Sequence, residues 1–310
     1  MNIAITGGTG FIGKAVAKLL LSAGHHVYIL TRHIPTQLPV KNATYVEWLR
    51  EGSHPENELP VIDAFIHLAG ESINSGRWTD EQKKRILNSR IHSTQEVRRI
   101  IESMPKKPWG VIQASAIGFY PPSDSKTYTE THAEPGNHFL AKTVQLWEQE
   151  GRKIADLNIR TVFARFGVLL GKNEGALPRI ALPYKMFIGG KVGSGTQWMS
   201  WIHIEDAARA IAFVLQHEDI QGPVNFTAPH PVRMDEFGRT LATVLKRPHW
   251  LPAPAFALKL VLGEMSDLVL TGQKVIPNTL VSHGFTFKYP SLKEALEDIY
   301  HEKKSAQSVS

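Results

Sequence analysis

The chain has 310 residues, of which 42% are hydrophobic and 21% charged, and it contains no cysteine. That composition supports one or two packed domains. It excludes disorder as the main state, and it excludes disulfides, thiolate metal sites and a cysteine nucleophile.

Residues 2–6 are an apolar run ahead of glycines and read as a buried strand. Residues 11–23 place Ile12, Ala15, Val16, Leu19, Leu20 and Ala23 at helical spacing, closed by Gly24. Residues 26–31, HVYILT, are a second strand, so the opening is a βαβ unit. Its turn, TGGTGFIG, carries GxGxxG through Gly8, Gly10 and Gly13, and GxxGxxG through Gly7, Gly10 and Gly13. Glycines there permit a tight strand exit, close approach of a pyrophosphate and close packing of helix on strand, while the helix N-terminus supplies amide donors. Gly7, Thr9, Gly10, Phe11, Ile12 and Gly13 are therefore candidate dinucleotide contacts. The motif is weak alone and strong in this strand–turn–helix setting.

The second strand ends in Thr31-Arg32-His33. A free ribose 2′-hydroxyl usually meets an acid about 20 residues past the loop. Here the first carboxylate of the chain is Glu47, and Arg32 stands nineteen positions after Gly13. A guanidinium suits a 2′-phosphate, so the sequence predicts NADP(H) over NAD(H).

Further strands are expected at 43–48, 62–68, 110–114 and 159–164. Helices are expected at 79–104, with Thr79 and Gln82 as a capping box, and at 138–157. Alternating strands and helices predict an α/β, Rossmann-like doubly wound parallel sheet. The second half is less regular. A helix starts near Asp206, read as its N-cap. A strand follows at 223–227, a helix at 234–245, a proline-rich connector at 248–254, and an α-rich remainder. This divides the chain into a dinucleotide-binding domain at 1–247, with 167–200 contributing to a substrate cleft, an α-rich C-terminal domain at 248–300, and a polar tail at 301–310. Trp198 and Trp201 are read as core.

The 35 lysines and arginines exceed the 29 acids by six, with no run of five or six like charges. This scatter suits an anionic small ligand and argues against nucleic acid as a partner. No apolar stretch approaches the ~20 residues of a bilayer span. The best, PAFALKLVLG near residue 260, is short and carries Lys259. The start of the chain has no cationic leader. No membrane partner is expected, and the expected location is cytoplasmic.

HLAG at 67–70, SAIGFY at 115–120 and WIHIEDAARAI at 201–211, with the glycine loop, resemble the extended short-chain dehydrogenase/reductase superfamily in its sugar-nucleotide epimerase-like branch. A narrower resemblance is to atypical "epimerase family" proteins with a C-terminal domain of unknown function. It rests on GRWTDEQKKRILNSR at 76–90, FLAKTVQLWE at 139–148, and GEMSDLVLTGQKVIP with GFTFKYPSLKEAL from 263 to 296. The resemblance implies that Leu68, Ala69 and Gly70 border the cofactor. It also implies a Ser–Tyr–Lys site, the last two as YxxxK. Ser115 matches the serine that orients the substrate oxygen, and Lys142 the lysine that grips the nicotinamide ribose. His138 stands where the tyrosine is expected.

Three alternatives follow: His138 moves the proton, Tyr120 moves it, or neither does and the chemistry is altered or lost. A lysine cation beside His138 would favour the neutral imidazole. Arg90 either reaches the cofactor or an anionic substrate, or forms a surface salt bridge. Members of the superfamily often dimerise through helices flanking the sheet, so a homodimer is compatible. The function expected is an NADP(H)-dependent oxidoreductase or epimerase-like enzyme acting by hydride transfer on a small polar substrate, with a sugar nucleotide in view. The alternative is an NADP(H)-binding regulatory or scaffold protein with a degraded active site.

Overall fold

The computed structural model describes residues 1–35 and 41–301, so the polar tail from 302 lies outside the described residues. Along the chain run β1 (Asn2–Thr6), α1 (Phe11–Ser22), β2 (His26–Thr31), β3 (Ala43–Glu47), α2 (Pro55–Glu58), β4 (Ala64–His67), α3 (Asp80–Ser103), β5 (Gly110–Ala116), β6 (Thr127–Tyr128), α4 (Phe139–Ala155) and β7 (Arg160–Phe166). The chain continues with β8 (Val168–Leu170), α5 (Leu177–Lys185), β9 (Trp198–Met199), β10 (Trp201–His203), α6 (Ile204–Gln216), β11 (Gly222–Phe226), β12 (Val232–Arg233) and α7 (Met234–Leu245). Last come α8 (Ala255–Leu262), α9 (Asp267–Leu270), β13 (Lys274–Val275), α10 (Asn278–Ser282) and α11 (Leu292–His301).

Seven strands form one sheet in the order β11-β7-β5-β4-β1-β2-β3, with every pairing parallel. The expected doubly wound α/β fold is present. Parallel strands covered on both faces must be apolar on both, and β1 shows how. Ile3 and Ile5 join α1 and α6 side chains such as Val16, Leu20 and Ile211. Ala4 points the other way, to Val97, Ile100 and Ile154 of α3 and α4. The chain steps outward from β1 to β3, then returns to β4 on the other side of β1. That reversal opens a crevice at the carboxyl ends of β1 and β4.

Local chemistry sets the helix ends. Gly24, at φ +82, closes α1 while the His25 and Gly24 amides donate to Leu20 and Leu21 carbonyls. At α3, Thr79 Oγ1 accepts from the Gln82 amide at 3.2 Å. The reciprocal half of the capping box is not made, because the Gln82 side chain donates to Glu71 and Ser75 instead.

A second core joins Trp201 of β10, Phe237 and Leu241 of α7, and Leu296 and Ile299 of α11. Trp201 is buried there, whereas Trp198 is half-buried, its indole lying under the Arg233 guanidinium and donating to the Asp124 oxygen. Asp206 corrects its sequence reading. The cap of α6 is His203, which accepts from the Glu205 amide. Asp206 lies inside the first turn, fully buried, and its carboxylate accepts from the Lys288 and Tyr289 amides at 2.8 Å each and from Arg209 at 2.7 Å. It ties the chain ahead of α11 to the Rossmann face. Asp206→Ala strands one buried and one half-buried amide donor and is expected to cost about 3 kcal/mol, measurable by urea denaturation.

Candidate nucleotide site and cleft

The glycine loop leaves β1 against the exit of β4. At Gly7, φ is +70, and a Cβ there would stand 2.8 Å from the Leu68 carbonyl carbon and 2.9 Å from the Ala69 nitrogen. At Gly13 a Cβ would stand 2.1 Å from the Gly7 oxygen, so α1 starts flush on the loop. Gly10 differs, because a Cβ there would approach only the Gly7 oxygen, at 3.2 Å. Its outer face is open. Gly10 is also the N-cap of α1 and lends it no side-chain cap, so the first-turn amides remain as donors beside this opening. An open glycine at an uncapped helix start is the cradle that a dinucleotide pyrophosphate requires, and these residues fit one.

The other loop candidates divide. Thr9 is exposed at the turn. The Phe11 ring faces away from the opening and packs on Gly171 and Gly175, where an added Cβ would lie 2.4 and 2.8 Å from it. A Lys14–Glu174 ion pair at 3.1 Å reinforces the same clasp between α1 and the segment after β8. Arg32 is exposed just past β2, in a turn where Thr31 Oγ1 bonds the His33 oxygen, and among the described residues it has no ion-pair partner.

Arg90 reaches across from α3. Its side chain lies on Gly70, its Nη1 donates to the Ile86 oxygen at 2.8 Å, and its guanidinium sits 5.1 Å from the Trp147 ring centre. Burial pulls its pKa down to about 10, against the opposing pull of Glu71, so it stays charged at neutral pH. Among the described residues it forms no surface salt bridge.

Beneath the crevice runs a buried polar chain. Thr6 Oγ1 meets His67 Nδ1 at 2.7 Å, His67 Nε2 meets Thr94 Oγ1 at 3.0 Å, and Trp147 Nε1 donates to the same hydroxyl at 3.1 Å. It links β1, β4, α3 and α4. Burial pushes the His67 pKa down to about 3, so the ring is neutral.

The structure divides the four candidate catalytic residues into two pairs. Ser115 is 4% exposed, and its hydroxyl donates to Glu148 Oε1 at 2.7 Å. Glu148 is paired with Arg165 through Nε and Nη2, at 2.7 and 2.8 Å. Arg165 Nη1 donates to the Tyr120 hydroxyl, which in turn bonds Asn225 Oδ1 at 2.9 Å. Tyr120 is wholly buried, and burial raises its pKa, with Arg165 opposing. Both hydroxyls are therefore engaged internally. His138 and Lys142 lie at the start of α4. His138 is its N-cap and stands outside the helix proper, so the i, i+4 pairing joins a cap residue to the first turn. Its Nδ1 is buried without a hydrogen-bond partner among the described residues, and burial lowers its pKa, with Asp267 opposing. Lys142 is exposed.

Sequence reasoning missed Glu148 and Arg165. Arg165 breaks the apolar run of β7 that begins at Val162, and Glu148 occupies the buried face of α4 beside Trp147. A charge in each of two buried faces was the available signal, since buried charges require partners. Nothing in the sequence paired the two.

The chain matches known proteins over most of its length. Residues 3–226 match the model of the NAD dependent epimerase/dehydratase family, and residues 253–299 match a domain of unknown function, DUF1731. The chain is similar to epimerase family protein YfhF of Bacillus subtilis (strain 168), at 51% identity over 305 residues, covering 98% of this chain and 100% of that one. It is similar to the crystal structure of human epimerase family protein SDR39U1 (isoform 2) with NADPH, at 31% identity and a TM-score of 0.85, covering 97% and 99% of the two chains. It is also similar to a nucleoside-diphosphate sugar epimerase from Corynebacterium glutamicum, at 29% identity and a TM-score of 0.76, covering 97% of this chain and 58% of that one.

Two outcomes test this geometry. Gly10→Val is expected to fold with a loss of about 1 kcal/mol yet to lose dinucleotide binding by fluorescence titration, whereas Gly13→Val collides with the Gly7 oxygen and does not fold. For His67 the folded pKa lies below the unfolded value, so acid protonates the unfolded chain first. Between about pH 6.5 and 3 the ring should therefore remove stability at about 1.4 kcal/mol per pH unit. His67→Gln should flatten that slope in urea titrations at successive pH values.

Proposed function

The chain belongs to the NAD-dependent epimerase/dehydratase family, and from that premise we propose that it is an NADP(H)-dependent oxidoreductase or epimerase-like enzyme. The reaction is hydride transfer on a small polar substrate of sugar-nucleotide type. Arg32 carries the cofactor choice: an exposed guanidinium, without an ion-pair partner among the described residues, stands at the end of β2, where an acid would select a free 2′-hydroxyl. The human relative solved with NADPH supports the same choice, and the sugar epimerase from Corynebacterium supports the substrate class.

In this reading the α1 amides at Phe11, Ile12 and Gly13 meet the pyrophosphate, Leu68 to Gly70 wall the site, and Arg90 adds a cation over Gly70. The bound nicotinamide supplies the two-electron chemistry. Lys142 holds the ribose. His138 serves as the proton carrier, because its imidazole is neutral and its Nδ1 is free of internal partners. Ser115 orients the substrate oxygen only by turning its hydrogen from Glu148, and Tyr120 acts through Arg165. A reductase uses a 2′-phosphate site better than an epimerase does, since an epimerase returns its hydride.

The engagement of Ser115 and Tyr120 in internal hydrogen bonds favours the second reading, an NADP(H)-binding regulatory or scaffold protein with a degraded site. Stopped-flow oxidation of bound NADPH by a panel of carbonyl compounds separates the two. Turnover that His138→Ala abolishes supports the enzyme, and tight binding without turnover supports the regulator. For the cofactor itself, Arg32→Glu is expected to weaken NADPH by at least about ten-fold while leaving NADH unchanged or tighter, measured by fluorescence titration. An unchanged preference would reject the assignment of Arg32.

A further inference from the structure

The charge that appears scattered along the sequence is gathered by the fold. Residues 182–192 and 245–262 contain Lys185, Lys191, Lys246, Arg247 and Lys259 and no aspartate or glutamate. Five of the 35 basic residues and none of the 29 acidic ones lie there, so these two stretches carry almost the whole net excess of six. The stretches are distant in sequence and adjacent in space. The Trp250 amide donates to the Gly189 oxygen, the Ala253 amide to the Lys191 oxygen, and the Trp250 indole to the Phe187 oxygen, all within 2.9 Å.

The same surface is apolar. Of the fourteen large hydrophobic side chains exposed among the described residues, nine belong to these two stretches, including Trp250 at 64%, Phe256 at 76% and Leu260 at 81%. Helix α8 buries none of its residues. Polar tethers near its end hold it to the body: Arg77 to the Val261 oxygen, and Lys83 to Glu264 just beyond. Phe187 sits at φ +63, a left-handed position that glycine or asparagine would occupy with less strain, and half of its ring is exposed. Beside Trp250 opens a recess lined by Arg239, Thr243, Lys246, Arg247 and His249; Asp235 already holds Arg239 at 2.8 Å and His249 at 3.0 Å, so Lys246 and Arg247 carry the positive charge of the recess. The Arg247 Nε there is buried without a hydrogen-bond partner.

We propose that this face docks on an anionic phospholipid membrane. Phe256, Leu260 and Trp250 enter the headgroup boundary, the lysines meet the surface charge, and the basic recess takes a lipid phosphate. Exposed aromatic and aliphatic side chains within a basic rim are the composition of a helix that lies in a membrane interface. A second copy of the chain fits worse. A two-fold contact through this face would set five cations against the same five. The expectation of no membrane partner rested on the lack of a spanning segment, and the proposal concerns docking on the surface instead. It requires no spanning segment, and no helix among the described residues is long and apolar enough to cross a membrane.

The test is co-sedimentation of the full chain with vesicles of pure phosphatidylcholine and of equal parts phosphatidylcholine and phosphatidylglycerol. Binding is expected to the mixed vesicles only and to weaken as salt rises. Lys246→Gln and Lys259→Gln should each lower partition roughly five-fold, and Trp250→Ser with Phe256→Ser should abolish it. All four side chains are exposed, so thermal unfolding should match the parent apart from the loss of the exposed Trp250 indole bond to the Phe187 oxygen. Absence of binding, equal binding to both vesicles, or binding that none of these substitutions alters would overturn the proposal. So would a dimer in solution that Trp250→Ser with Phe256→Ser dissociates, which would assign the face to a second copy.

Discussion

The carboxyl edge of the sheet is organised by how closely β1 and β4 leave it side by side. Gly7 has no room for a side chain because the backbone of Leu68 and Ala69 occupies that space. One residue earlier on each strand, Thr6 and His67 are joined by a buried hydrogen bond, and His67 passes the connection on to Thr94 and Trp147. This single line of polar contacts holds the two strand ends and the two helices behind them in register. The glycine loop, the wall at 68–70 and the guanidinium of Arg90 all take their positions from it. A histidine in this role must be neutral, and burial keeps it so.

A second buried unit stands behind the cleft. Glu148 and Arg165 neutralise each other in the interior, and each then orients a hydroxyl, Ser115 on one side and Tyr120 on the other. Buried ion pairs add little net stability, but removing either member is costly. Their effect here is to fix geometry. It also leaves His138, at the uncapped start of α4, as the titratable group among the candidates without an internal hydrogen-bond partner at Nδ1. The position where the superfamily resemblance implies a tyrosine is filled by an imidazole that burial shifts toward its neutral form. Desolvation favours the neutral base, whereas a phenol would need its anion stabilised.

The C-terminal part has two characters. α11 is anchored through Asp206 and shares a core with α7 and Trp201. α8 buries none of its residues and turns Phe256, Leu260 and Val261 outward, with Arg77 donating to its Val261 oxygen. The contrast within one stretch of chain separates a surface that completes the fold from one that serves a contact outside it.

The sequence by itself determined the sheet, the nucleotide loop and the charge at the end of β2. These are local: apolar runs, helical spacing, glycines where backbone must approach backbone, and an arginine at a set distance from the loop. The helix at 234–245 was legible to the residue for the same reason. Tertiary structure decided what depends on pairing between distant segments. It made Asp206 an anchor for residues 288 and 289 where local pattern suggested a cap. It turned the Phe11 ring away from the loop and closed Ser115 and Tyr120 into the Glu148–Arg165 network. It also assembled one basic, apolar face from two stretches more than fifty residues apart. Periodicity reports which side of an element is buried. Which buried groups meet is set by the crossing of the chain, and no local spacing records that.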